Sequence, residues 1–120
     1  ALPEESLVAH PTFLLHRGKI HTERGEHADA LVMYALAEEI FVGTGDDPGR
    51  AQALAMKGYI LRFQGRYAEA LAQCEKAVEL AGGTTDEERM ALALAHKNIG
   101  LCHFRQGNLD NGHAALIESA

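Results

Sequence analysis

The sequence predicts an all-α chain, three helical hairpins stacked as an α-solenoid, forming one domain over its 120 residues. Three observations carry that expectation. The apolar residues are mostly small: 47% of the chain is hydrophobic, yet aromatic residues make up only 6% and Trp is absent. Small side chains suit close helix packing better than a sheet core, which favours β-branched and aromatic residues. A pair of glycines with six residues between them then occurs three times, as Gly18 and Gly25, Gly58 and Gly65, and Gly100 and Gly107. Helix-capping signals, finally, fall between the copies.

The columns that accompany the glycines define the hairpins. Two residues after each second Gly stands His27, Tyr67 or Leu109, and five after it stands Ala30, Ala70 or Gly112. Nine after it comes Tyr34, Cys74 or Leu116, and twelve after it Ala37, Ala77 or Ser119. A Gly inside a helix costs roughly 1 kcal/mol against Ala, and is accepted where another helix must come close. The second Gly ends the helix in a left-handed conformation that a side chain resists. Each hairpin cannot bury its apolar face alone, so stacking is required.

Taken in order, Pro3 opens a short helical turn over residues 3–9, closed before Pro11. The hairpins fall at about residues 12–42, 48–81 and 85–119. Their helices are placed at about 12–24, 27–42, 48–64, 67–81, 85–106 and 109–119. Gly43-Thr-Gly-Asp-Asp-Pro-Gly49 reads as a solvated connector, with Asp47 as N-cap and Pro48 at the first helical position. It lacks the Gly-Lys-Ser/Thr ending of a phosphate loop and the acidic spacing of a calcium loop. Gly82-Gly83 ends a helix, and Thr85-Asp-Glu-Glu88 is a capping-box signature for the next.

The segment from Ala51 to Leu80, with Gly58, Gly65-Arg-Tyr67, Ala70-Leu71 and Ala77, closely resembles a tetratricopeptide repeat. The other two copies match it mainly through their paired glycines. The resemblance implies a right-handed superhelix and a non-catalytic, partner-holding role. The family's Trp is missing, and Arg17 and Lys57 occupy a column usually held by Leu, which predicts looser packing of the first helices. The second glycines, at 25, 65 and 107, stand 40 and 42 residues apart, against a usual period of about 34. The additional residues fall in the joints between hairpins.

Composition narrows the function further. A net charge of −6 opposes a broad phosphate footprint, so direct nucleic-acid contact is not expected. No run of about 18 apolar residues reads as a membrane span, and no signal peptide is visible. A cytoplasmic location is therefore expected. Cys74 and Cys102 read as buried free thiols on helices. The chain opens on Ala-Leu-Pro without an initiator Met, as a piece of a longer protein would.

Seven histidines, at 10, 16, 21, 27, 96, 103 and 113, are the candidates for metal or acid–base work. None forms an HExxH pair and no CxxC is present, so no metal or cofactor is expected. His21 and His103 share one repeat column and read as packing residues between paired helices. His27 replaces the usual turn aromatic. Cys102 and His103, adjacent on a helix, point about 100° apart and make a poor nucleophile–base pair. Glu4, Glu5, Glu38, Glu39, Asp86, Glu87 and Glu88 read as solvated helix ends and faces. No catalytic constellation emerges, and an enzyme is not expected.

In the tetratricopeptide arrangement the first helix of each hairpin lines the concave surface. The resemblance thus places Leu15, Ala55 and Lys97, three residues before each first Gly, on that face. Lys19, Tyr59 and Leu101 follow immediately after the Gly; Thr22, Arg62 and Phe104 come four after, and Glu23, Phe63 and Arg105 five after. The expected partner-binding set is Lys19, Tyr59, Arg62, Phe63, Lys97, Phe104 and Arg105. Aromatic rings and Arg are frequent anchors for partners, and the basic members suit an acidic, partly apolar peptide or protein.

The opening Leu2-Pro-Glu-Glu-Ser-Leu-Val-Ala-His-Pro11, followed by Gly18 and Gly25-Glu-His-Ala-Asp-Ala30-Leu, is also similar to a stretch of large bacterial transcription activators. These are the maltose-regulator-like and antibiotic-regulator-like proteins, whose helical repeats have a period near 40. That resemblance implies sensing of an effector or protein, with any DNA-binding domain outside residues 1–120. The alternative is a general scaffold or self-association module without a regulatory ligand. The last hairpin ends without a polar capping helix, which favours a homo-oligomer in either case.

Overall fold

The computed structural model describes residues 11–105, Arg105 by its backbone alone. These form five helices: α1 (Pro11–Glu23), α2 (His27–Thr44), α3 (Asp47–Phe63), α4 (Tyr67–Leu80) and α5 (Asp86–Arg105), and no strand occurs among the described residues. The helical turn expected at 3–9 and the helix expected at 109–119 lie outside them.

The first two glycine pairs act as the spacing predicts, whereas a Cβ at Gly100 would meet nothing within 4 Å among the described residues and Gly107 lies outside them. Gly18 and Gly58 are buried within α1 and α3. A Cβ at Gly18 would stand 2.5 Å from the Tyr34 ring, and one at Gly58 would overlap Cys74 Sγ. Gly25 and Gly65 take φ of 75° and 77°. Behind each, the chain closes the helix by a Schellman pair of bonds. Glu26 N and Gly25 N donate to His21 O and Thr22 O, at 2.8 and 3.1 Å; Arg66 N and Gly65 N donate to Leu61 O and Arg62 O, at 2.9 and 3.0 Å.

The repeat columns supply the core. Ala30, Tyr34 and Ala37 of α2, and Ala70, Cys74 and Ala77 of α4, are all fully buried. Burying a large apolar side chain contributes roughly 1.5–3 kcal/mol; the alanines mainly let the helices approach. Tyr34 also satisfies its hydroxyl. Thr22 Oγ1 donates to Gly18 O at 2.8 Å, so Tyr34 OH is left to donate to Thr22 Oγ1 at 3.2 Å. Burial pushes the Tyr34 phenol above its ordinary value.

The first joint differs from expectation by one or two residues. α2 runs through Gly43 to Thr44, and Gly45, at φ 72°, closes it. Asp46, not Asp47, is the N-cap of α3: its carboxylate accepts from Gly49 N at 2.9 Å, and Pro48 sits at the second helical position. The first turn of α3 lies against Phe41, whose ring a Cβ at Gly49 would overlap.

The second joint keeps its capping box. Glu88 N donates to Thr85 Oγ1 and Thr85 N to Glu88 Oε1, both at 3.1 Å. Glu88 is not the solvated helix end it was expected to be. It is buried, and it also accepts from Gly82 N at 2.5 Å and Thr84 Oγ1 at 2.8 Å. The Gly82 N–H, then the Thr84 hydroxyl, hold its carboxyl well below the usual range, at about 2.

Glu38 is a second correction, since it was expected on a solvated face. It accepts from Lys57 Nζ at 2.8 Å and Arg50 Nε at 3.2 Å, with all three side chains largely covered. Partial burial raises its pKa, but the two cations outweigh that and lower it overall. Lys57 holds a column where the family usually has Leu, and here it joins the second hairpin to the first. Cys74 and Cys102 are free and buried, as expected; burial, with Cys102 nearby, pushes the Cys74 thiol up to about 12.

Candidate partner-binding site

The joints between hairpins are unequal. α5 packs along both α3 and α4, whereas α3 packs along α2 and makes no comparable contact with α1. Side-chain size accounts for the difference. Ala91 and Ala95 of α5 meet Leu54 and Ala55 of α3 at close range. Between α1 and α3 stand the bulkier Leu15, His16, Lys19, Gln52 and Met56. The space left there is a cleft of about 430 Å³, closed at its far side by Glu87 and Met90 from the start of α5 and floored by Tyr34. The first helices of all three repeat copies thus contribute to one concavity. Met90 is 71% exposed, which places an uncovered apolar group at its rim.

Beyond the cleft, near the C-terminal end of α3, lies an aromatic–cation cluster. The Tyr59 and Phe63 rings meet edge to face with centroids 4.8 Å apart. Arg62 Cζ stands 4.7 Å from the Phe63 centroid and 5.5 Å from that of Tyr59. Its Nε donates to Asn98 Oδ1 of α5 at 2.8 Å. Asn98 is fully buried, and its Nδ2 has no partner among the described residues. His27 leans on Phe63 at 5.6 Å, so the residue in place of the turn aromatic still packs as a ring.

The expected binding residues therefore fall into three groups. Lys19 lines the cleft. Tyr59, Arg62 and Phe63 touch one another, with Phe63 half-exposed. Lys97 and Phe104 are exposed on α5, and the side chain of Arg105 lies outside the described residues. Ala55, also expected on the concave face, is buried in the core, because α5 covers it. Sequence reading missed His16, Met56, Glu87 and Met90. The first two share the column two residues before the first Gly, so the repeat register could have found them. Glu87 also tempers the expected basic character, since the cleft itself carries both signs.

Among the described residues the histidines make mainly structural contacts. His21 Nδ1 meets Glu26 Oε1 at 3.0 Å, so it serves the turn through a polar contact rather than by packing alone. His21, Glu26 and Asp29 place one ligand atom each within 4.8 Å of one another, but both carboxylates are exposed. His103 is partly buried, and its Nδ1 has no partner among the described residues. No described helix is long and apolar enough to cross a membrane.

No curated protein and no solved structure matches the chain. A family model described as tetratricopeptide repeat matches residues 11–81 and, overlapping that span, residues 55–116. With the paired glycines, the buried alanine columns and the shared cleft in place, the chain belongs to the tetratricopeptide repeat family.

Proposed function

We propose that this domain is a binding module, not an enzyme, and that it holds an acidic, partly apolar peptide or protein segment along the first helices. The observation that carries this reading is the cleft shared by α1, α3 and α5, with Met56 and Met90 as its apolar surface and Lys19 at its wall. Methionine adapts its shape to a bound chain at low cost. The Arg62 stack next along α3 offers a cation held in place by two rings and Asn98. Lys97 extends the positive charge onto α5. The test is binding of the full chain to an array of acidic–apolar peptides, with Lys19→Glu/Lys97→Glu as the comparison. Both lysines are exposed, so the variant keeps its helix content; selective loss of acidic binders supports the reading, and unchanged binding refutes it.

We place the module in the helical-repeat segment of a cytoplasmic bacterial transcription activator of the maltose-regulator-like kind. The Leu2-Pro3 to His10-Pro11 opening and the glycine period of 40 and 42 residues support that placement. A helix-turn-helix segment in the same reading frame is the expected finding, and its absence counts against the placement. The scaffold reading draws its support from apolar side chains left exposed away from the cleft, notably Phe13 and Ile20.

A further inference from the structure

The repeat lets one hairpin be read against another, and the comparison singles out the outer flank of α1. In α3, the residues five before and two after Gly58 are Ala53 and Ile60, both fully buried. They pack on the preceding hairpin, Ala53 against Ala37 and Phe41, Ile60 against Ala30 and Tyr34. In α5 the same columns hold Ala95 and Cys102, again fully buried, against Cys74 and Ala77 and against Leu61 and Ala70. The residue just before Gly58 is Lys57, which bonds Glu38 of the preceding hairpin at 2.8 Å. These columns are the stacking face of the fold.

In α1 the same columns carry Phe13, Arg17 and Ile20. Phe13 is 51% and Ile20 49% exposed, and Arg17 is exposed as well. Large apolar groups and a cation thus stand where the other copies use a face to stack, with nothing among the described residues stacked on it. A face of this kind on a soluble domain marks an interaction site.

The occupant is indicated by charge. Phe13, Arg17, Ile20 and Arg24 recur at helical spacing along one exposed stripe. On α2 of the same hairpin, Asp29, Val32, Leu36 and Glu39 form a second exposed stripe at the same kind of spacing. One stripe is apolar and basic, the other apolar and acidic. We propose that two copies of this chain pair through the first hairpin, α1 of each lying antiparallel on α2 of the other about a two-fold axis. When Arg17 faces Glu39, Ile20 faces Leu36, because Ile20 lies three residues after Arg17 and Leu36 three residues before Glu39, as antiparallel helices require. Arg24 then comes within side-chain reach of Asp29. The arrangement is isologous, so it closes at two copies and leaves the cleft open. It does not depend on what the cleft binds.

Sedimentation velocity of the full chain over a wide concentration range tests the pairing. The expected result is a reversible dimer that Phe13→Glu/Ile20→Glu converts to a monomer with unchanged helix content. Arg17→Glu weakens dimerisation about tenfold, since the two-fold axis repeats each lost pair. Adding Glu39→Arg to that variant restores it, which a merely unfolded chain cannot do. A wild-type chain that stays monomeric throughout overturns the proposal, as does a dimer unmoved by the Phe13/Ile20 variant. A monomer in which that variant lowers thermal stability assigns the flank to the chain's own residues 1–10, and equally overturns it.

Discussion

Replacing Gly58 by Ala tests whether close helix approach is what the repeat glycine provides. In an ordinary helix the change is favourable by roughly 1 kcal/mol, because Gly is the poorer helix former. Here the new Cβ overlaps Cys74 Sγ. Neither group can swing away, since Cys74 is fully buried. Such overpacking costs typically about 1–3 kcal/mol, so Gly58→Ala alone comes out destabilising, by up to about 2 kcal/mol. Cys74→Ala removes the obstructing sulfur. What remains near the new Cβ is Ala70 O at 3.3 Å, a tight contact that a small shift relieves. In the Cys74→Ala background, Gly58→Ala therefore becomes neutral or stabilising. Urea unfolding of the four proteins, followed by circular dichroism, measures the cycle. Equal effects of Gly58→Ala in both backgrounds would refute the steric reasoning, and with it the reading of the first-glycine column.

Two further outcomes follow from the buried ionisable groups. Glu88 has its pKa depressed to about 2 from 4.5, so its contribution to stability is full above pH 4.5 and is lost as pH falls toward 2. Glu88→Gln should lower the melting temperature at neutral pH, with the gap from wild type closing across that window; a gap independent of pH would show that the charge is immaterial. Cys74, pushed up to about 12, and Cys102, also raised by burial, hold essentially no thiolate near neutrality. Both should react with a thiol reagent only as fast as the domain opens, so rapid native labelling of either contradicts the packing described here.

The parts of the fold legible in the sequence were those set by local rules. Gly25 and Gly65 mark αL helix ends, Thr85 and Glu88 form a capping box, and the columns at Ala30 and Tyr34 are buried as their spacing demands. What escaped depends on contacts across joints. Glu38 looked solvated because its partners, Arg50 and Lys57, lie in the next hairpin; a Lys in a packing column was the available hint. Glu88 was legible as a cap, but not as an acceptor for Gly82 N, which depends on how the chain leaves α4. Glu87 and Met90 reach the cleft because the start of α5 crosses toward α1, a consequence of how the helices stack that repeat spacing does not encode.

The central claim is that partners lie along the first helices, and the three methionines offer the most direct measurement of it. Met56 and Met90 line the cleft, whereas Met33 packs beside Leu14, Ala37 and Phe41, outside the cleft lining. Methyl spectra of Met-labelled chain, titrated with the tightest peptide from the acidic–apolar array, should show the Met56 and Met90 signals shifting together to saturation while Met33 stays in place. Saturation with both cleft signals unmoved, or with Met33 alone responding, would contradict the account.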